Sequence, residues 1–323
     1  MRPANALEAT ALTSEDVVRR ENVSTEGVGQ AVFTSVIVPF FGANFSQLAS
    51  CLAAIFEQNF PRTHFELIVV DNNPEPVLLD RRDLLPEGCL VVHERRAGSY
   101  AARNRGLDLA RGELIAFTDS DCRPTADWLR RGTASLEADS SLGFAAGRIH
   151  VTWKGAKPNP VEVYDACVSF QQENYVYKTG FGATANLFTR ASVVADVGRF
   201  DEALFSGGDK DWGRRVSARG YGRSFTPDAV VFHPARATLS ALICKQRRLV
   251  GQEFVLAIRA RRGIHRILGR EILGFLSTLV VLYRRRPDFD PSALAGACGV
   301  AVMVRAARLF EWCRLGFGGR PQR

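Results

Sequence analysis

The sequence predicts an α/β fold built on a doubly wound, mainly parallel sheet, with a basic helical C-terminal extension. Two observations carry this. From position 34 to about 140, short apolar, often β-branched runs alternate with segments whose apolar residues recur at helical spacing, the pattern of βαβ units. From Arg236 to the end the composition changes. There 17 Lys and Arg stand against 5 Asp and Glu, so the basic character of a chain with formal net charge +8 belongs to its last quarter. Such asymmetry points to an anionic partner, a nucleic acid or a membrane surface.

The elements follow in order. Val36 to Phe40 reads as a first strand ended by Pro39. Ser46 to Gln58 carries Leu48, Cys51, Leu52, Ile55 and Phe56 on one helical face. Phe65 to Val70 is a second strand that stops at Asp71-Asn72-Asn73-Pro74, and Cys89 to His93 is a third. Tyr100 to Arg111 is a helix stopped by Gly112, and Glu113 to Thr118 is the fourth strand. Pro124 sits where a first helical turn is expected, with the helix running to about Asp139. A strand after residue 143, a helix near Val161 to Tyr175, the small-residue segment Gly180 to Asn186, a helix from about Asp211 to Arg219 and a strand from Ser224 to Phe232 complete the sheet domain. Residues 1–32 read as a flexible tail with a short helix near Ser14 to Arg20, 33–235 as the sheet domain, and 236–323 as the helical extension.

In the extension, Leu239 to Arg262 is basic and helical. Ile272 to Tyr283 and Ala293 to Val304 are uncharged runs of twelve residues separated by Arg284-Arg285-Arg286. Each is shorter than the roughly 20 apolar residues of a spanning helix, and arginine-flanked apolar segments fit helices lying in a membrane interface. The alternative is a helical pair packed on the sheet domain or on a second subunit. The tail carries no zinc-finger, RRM or basic-zipper pattern, which argues against nucleic acid. Seven scattered cysteines without C-x-x-C spacing read as reduced thiols, and the first 30 residues lack the apolar core of a secretory signal. The expected location is cytoplasmic, peripheral on the cytoplasmic face of the inner membrane.

The chemistry centres on Leu114-Ile115-Ala116-Phe117-Thr118-Asp119-Ser120-Asp121. Residues i and i+2 of an extended chain share a side, so Asp119 and Asp121 converge at the strand's carboxyl end, where open α/β sheets bind ligands. Two hard oxygen donors suit Mg²⁺ or Mn²⁺ with substrate phosphates. The competing reading is a turn with solvated carboxylates. A late histidine, His233, follows the Val230-Val231-Phe232 strand, and a neutral imidazole can complete a Mn²⁺ site beside carboxylates. The competing reading there is a packed strand-end side chain. No G-x-G-x-x-G follows a strand, which argues against a nicotinamide dehydrogenase. Pro39-Phe40-Phe41-Gly42-Ala43 lacks the basic phosphate loop expected of a sugar nucleotidyltransferase.

Taken together and in order, five motifs resemble the family-2 glycosyltransferases of GT-A fold. They are Ser35 to Pro39, Ile68 to Asn72, Ala101 to Gly106, Gly112 to Pro124 and Phe205 to Arg215, and the likeness covers about residues 34 to 235. The resemblance implies a nucleotide-binding half and an acceptor half. It implies metal-dependent, inverting transfer of a sugar from a nucleotide diphosphate sugar, with a UDP-sugar favoured. The acceptor hydroxyl would belong to a carbohydrate or lipid-linked molecule, in polysaccharide or glycolipid synthesis. It assigns nucleotide-sugar contacts to Pro39, Asp71, Arg103, Asp119 and Ser120. It makes Asp121 the direct ligand of Mn²⁺ or Mg²⁺, with Asp119 a second ligand or a ribose contact. The family commonly has Glu-Asp where this chain has Gly208-Asp209. Asp209 then falls at the base position, with Asp211 as the second candidate and Trp212 beside it on the acceptor side. Asp211 also reads as a helix-first-turn acid, and Trp212 as core packing.

Overall fold

The computed structural model describes residues 32–321, except Arg82, Leu84 and residues 260–263. The expected N-terminal tail and its short helix lie outside the described residues, apart from Val32. In chain order the first elements are β1 (Thr34–Phe40), α1 (Phe45–Phe56), β2 (Phe65–Asp71), β3 (Cys89–His93), α2 (Ser99–Leu109) and β4 (Leu114–Thr118). Next come β5 (Arg123–Pro124), α3 (Trp128–Ala138), β6 (Leu142–Thr152), α4 (Pro160–Val168) and α5 (Gln172–Asn174). β7 (Asn186–Arg190), α6 (Ala191–Val197), α7 (Gly208–Ala218) and β8 (Gly222–Pro234) close the sheet domain. The extension is α8 (Leu239–Arg259), α9 (Ile264–Arg284) and α10 (Pro291–Gly316).

One eight-stranded sheet runs in the order β3-β2-β1-β4-β7-β6-β8-β5. Strands β3, β2, β1 and β4 are mutually parallel. β7 then enters antiparallel between β4 and β6, and β5 pairs antiparallel with β8. Four of the seven strand pairings are parallel, in line with the mainly parallel expectation, and beyond β4 the sheet becomes mixed. The cause is β7: five residues following a small-residue segment, too short to announce its direction in sequence.

The parallel strands are buried on both faces, which is why they read as continuous apolar runs. Val36, Val38, Leu114 and Ala116 face Leu48, Leu52 and Ile55 of α1 and Trp128 and Leu129 of α3. Ile37, Ile115 and Phe117 face Val193 and Val197 of α6 and Trp212 and Val216 of α7. Ile68 and Val70 pack on Ala102 and Leu109 of α2. α2 sits close because Gly106 has no side chain: a Cβ there would lie 2.4 Å from Ile37 Cγ2.

Proline defines two departures from expectation. Pro39 does not end β1. It pairs with Val70 on β2, while the β4 ladder stops at Ile37, so its missing N–H is not needed there. Pro124 lies in β5 opposite Val231 rather than in a first helical turn, and α3 starts at Trp128. The helix expected near Val161 to Tyr175 breaks after Val168, because Phe170 takes the left-handed conformation at φ 54°.

α8, α9 and α10 pack together and against α4 through Val163, Tyr164, Leu242, Leu282, Ala297, Val300 and Val304. α10 is longer than its uncharged run. It is the one described helix long and apolar enough to cross a membrane by length and composition. Its C-terminal half places Arg308 and Glu311 inside the bundle at 9% and 0% exposure.

Candidate functional site

The site lies where the carboxyl end of β4 meets the end of β8. β4 carries five buried residues and stops at Thr118; Asp119, Ser120 and Asp121 follow, each partly exposed. The chain then turns into β5, whose ladder sets Arg123 opposite Phe232 on β8. This pairing brings Asp121 beside His233. The two are 3.5 Å apart, Oδ2 to Nε2, and Cys122 Sγ completes a group of three metal-ligating atoms within 4.8 Å of one another.

The histidine is held for that contact. Its Nδ1 lies 2.8 Å from the Pro234 carbonyl, which requires the proton on Nδ1 and leaves Nε2 as the ring nitrogen facing Asp121. The Phe170 ring packs on the imidazole at 4.4 Å between centroids. The one non-glycine residue with positive φ among those described therefore supports this side chain, a placement consistent with strain kept at a functional position. Burial raises the Asp121 carboxyl above its usual range, with Asp119 adding to the rise and His233 and Arg236 opposing it. Burial, then Asp119 and Asp121, keep Cys122 a neutral thiol. The effective donors are a carboxylate oxygen and an imidazole nitrogen. With a diphosphate completing the shell, that set suits Mn²⁺ or Mg²⁺ rather than a thiolate-bound metal.

Asp119 pairs with Arg103 of α2 through Nη2. Arg103 is 3% exposed, and its buried Nε has no partner among the described residues. The site thus holds unmet donor capacity for an anion. A cleft of about 370 Å³ opens beside Asp121 and His233 and is lined also by Gln47, Thr152, Trp153 and Arg236.

Asp209 lies in the first turn of α7. Tyr100 of α2 donates to its Oδ1 at 3.4 Å and accepts from its backbone N–H at 3.3 Å. Burial raises its carboxyl above the usual aspartate range; the Lys210 N–H, Arg103 and Tyr100 oppose the rise, and Asp119 adds to it. Asp209 therefore interacts with the same Arg103–Asp119 pair that adjoins Asp121. The glycine at 208 now has a reason. A Cβ there would lie 2.6 Å from the Tyr100 ring, so the tyrosine occupies the space of the missing acid.

Four expected residues are placed differently. Asp71 carries four donors on its carboxylate: Asn73 N and Nδ2 on Oδ1, Val77 N and Leu78 N on Oδ2. Those fill its acceptor sites, and at 1% exposure it orders its own loop instead of offering a free carboxylate to a nucleoside. Trp212 is 1% exposed. It packs on Phe144 and Phe200 and donates Nε1 to the Gly198 carbonyl, so it is a core residue and not an acceptor contact. Asp211 pairs with Arg215 at 3.0 Å, its i+4 neighbour on α7. Pro39 lies in β1 one residue from its end and is not among the residues that line the Asp121–His233 cleft.

Sequence reasoning passed over Tyr100, Phe170, Asp165, Arg236 and Lys245. Buried Asp165 of α4 accepts from Arg236 N and Nη1 at 3.0 and 3.3 Å and lies 3.7 Å from Lys245. Burial and the adjacent Arg236 bring Lys245 down to about 8, against the pull of Asp165. The cue for Arg236 was its place three residues after His233; Asp165, mid-helix, gave none.

The chain matches the family model "Glycosyl transferase family 2" over residues 35–198. It is 30% identical over 251 residues to glycosyltransferase AglE of Haloferax volcanii, covering 76% of this chain and 81% of that protein. It is 31% identical over 203 residues to the pre-mycofactocin glycosyltransferase of Mycobacterium tuberculosis, covering 60% of this chain and 42% of that longer protein. Among solved structures it resembles the mannosyltransferase PcManGT from Pyrobaculum calidifontis in complex with GDP-Man and Mn²⁺. The TM-score is 0.57 at 21% identity, over 88% of this chain and 87% of the other. A match of this breadth in sequence and fold makes the chain a member of glycosyl transferase family 2, a glycosyltransferase of GT-A fold.

Proposed function

We propose that this glycosyltransferase moves a sugar, with inversion, from a nucleotide diphosphate sugar to a hydroxyl acceptor, using a divalent metal. The observation that carries the reading is the approach of Asp121 and His233 across the β4 and β8 ends, beside a buried arginine with an unmet donor. Asp121 and His233 would hold Mn²⁺ or Mg²⁺. When bound, the metal supplies Lewis-acid neutralisation of the departing diphosphate.

The protein's own groups do the rest. Arg103 anchors Asp119 and offers positive charge to the donor phosphates, and Ser120 lies between the two acids on the same turn. Arg236, fixed by Asp165, adds charge to the lining of the cleft, the electrostatic stabilisation that phosphate leaving groups need. Asp209 takes the acceptor proton. Its raised pKa makes it a better proton acceptor than an ordinary aspartate, and Tyr100 fixes its orientation. Asp211 is the weaker candidate because Arg215 already engages it.

A UDP-sugar is the donor we favour, and a carbohydrate or lipid-linked hydroxyl the acceptor, in polysaccharide or glycolipid synthesis. We place the catalytic unit at 33–235 and the extension at 236–323, working on the cytoplasmic face of an anionic membrane. The test is a panel of UDP- and GDP-sugars with and without Mn²⁺, read by nucleotide release, with the anomeric product read by NMR. Metal-dependent release and an inverted product are expected. Metal-independent release, or retention at the anomeric carbon, overturns the reading.

A further inference from the structure

α9 is a helix with a core face and an unpartnered apolar face. Glu271 and Leu282 are buried at 2% and 1% exposure. Leu268, Ile272, Leu273, Leu276, Val280 and Tyr283 are between 47% and 68% exposed. At 3.6 residues per turn these six fall within an arc of roughly 140°, so they form one stripe. A stripe of this extent on a protein surface marks a contact site.

The charges at its border say what the contact is. Arg266 and Arg270 stand at the N-terminal end, and Arg284, Arg285 and Arg286 at the C-terminal end, all exposed. On the same helical projection Arg266, Arg270 and Arg284 fall within roughly 60° of one edge of the stripe. The single carboxylate of α9, Glu271, points into the bundle and is held by Arg305 and Arg308. Arg270 is engaged by Glu253 of α8 and Arg285 by Asp288, which leaves Arg266, Arg284 and Arg286 without a carboxylate partner among the described residues, so the border of the stripe carries net positive charge. A second copy docked isologously on this face would meet the same arginines. An anionic bilayer meets both features: acyl chains for the stripe, headgroups for the guanidinium groups.

We infer that the outer face of α9 is a membrane-binding surface, seated on anionic lipid with its axis in the plane of the interface. This deepens the membrane placement proposed above and is independent of the donor chemistry. The orientation also matters for the acceptor. Arg270 at the start of α9 is close enough to Lys210 to help depress its pKa, after burial and Arg214, while Glu253 opposes the shift. Lys210 follows Asp209 in α7, so the charge of the membrane-facing helix is felt at the residue next to the proposed base.

The experiment is co-sedimentation of the full chain with vesicles of phosphatidylcholine alone or mixed with phosphatidylglycerol. Binding to the mixed vesicles, falling as salt is raised, is expected. The double variant Leu273→Glu with Leu276→Glu should lose about tenfold or more in vesicle affinity, since two carboxylates replace apolar anchors. Arg284→Gln with Arg286→Gln should lose the phosphatidylglycerol preference. Thermal unfolding and Mn²⁺-dependent nucleotide binding, measured without lipid, should match the parent in both variants. Unchanged vesicle binding by the Leu273/Leu276 variant overturns the inference. So does a concentration-dependent dimer that this variant dissociates, with no binding to either vesicle. Failure of nucleotide binding in the parent chain bears on the catalytic reading alone.

Discussion

Two clusters of acids and arginines in this molecule are built oppositely. In the helical extension, Glu271 accepts from Arg305, Arg308 and the Trp312 indole. Burial alone would raise its carboxyl; the arginines more than offset that and hold it at about 2. Glu311 is likewise held below its usual range by hydrogen bonds from Arg314 and Arg247, against its burial. In the sheet domain, Asp121 and Asp209 are left with raised carboxyl pKa values; a buried Nε without a partner among the described residues occurs in both clusters, on Arg103 and on Arg305, so the carboxylates carry the contrast. Saturated charges fasten helices. Under-satisfied ones are poised for a ligand or a proton, and perturbed groups in a cleft mark functional sites.

The comparison breaks first at Asp209. Asp209→Asn should cost about 10²–10⁴-fold in transfer while leaving Mn²⁺-dependent donor binding intact. Because the folded pKa is raised, the ionised carboxylate costs stability as pH rises from the unfolded value through the folded one. The asparagine variant should therefore melt no lower than the parent at neutral pH. A variant with full transfer would assign the base to another group. In the extension, Glu271→Gln should cost about 3–5 kcal/mol, because it leaves buried arginines unpaired. Urea unfolding measures the loss, and the folded fraction should retain its activity toward donor.

Asp71→Ala should cost about 1–3 kcal/mol by stranding the N–H groups of Asn73, Val77 and Leu78, with nucleotide affinity changed only through the loop. A selective loss of nucleotide affinity at unchanged stability would restore its expected nucleoside role. The smallest effect is on pH. Acidification should weaken the extension between about pH 4.3, the ordinary glutamate value, and about 2, where Glu271 titrates. A depressed acid contributes stability above its unfolded pKa and loses it as pH falls through the folded value. Transfer should fade with acid at higher pH than an ordinary aspartate near about 3.9 would allow, because Asp209 must be ionised to act.

The part of the site carried by local pattern was legible in the sequence. Leu114 to Thr118 could be read as a buried strand, but the two acids after it stand in a turn closed by the Cys122 N–H on the Asp119 carbonyl, so they do not follow the period-two geometry of a strand: Asp119 pairs with Arg103 and Asp121 with His233. Cys89 to His93 could be read as a strand from its β-branched run. What long-range pairing decides was hidden. Pro124 has the composition of a helix start, and only the β8 strand makes it part of a ladder. The four donors that fill Asp71 come from a loop whose path no periodicity encodes. Gly208 looked like a lost acid until the Tyr100 ring was seen in its place. Trp212 could be read either way, and burial decides it.

The central claim is that Asp121 and His233 form a metal site serving a nucleotide diphosphate. Electron paramagnetic resonance of Mn²⁺ titrated into the protein with UDP or GDP tests it most directly, in the parent, Asp121→Ala and His233→Ala. The account predicts protein-bound Mn²⁺ whose affinity rises with the nucleotide diphosphate, and loss of most of that signal in both variants. Nucleotide-enhanced Mn²⁺ binding that persists in Asp121→Ala and His233→Ala would contradict it.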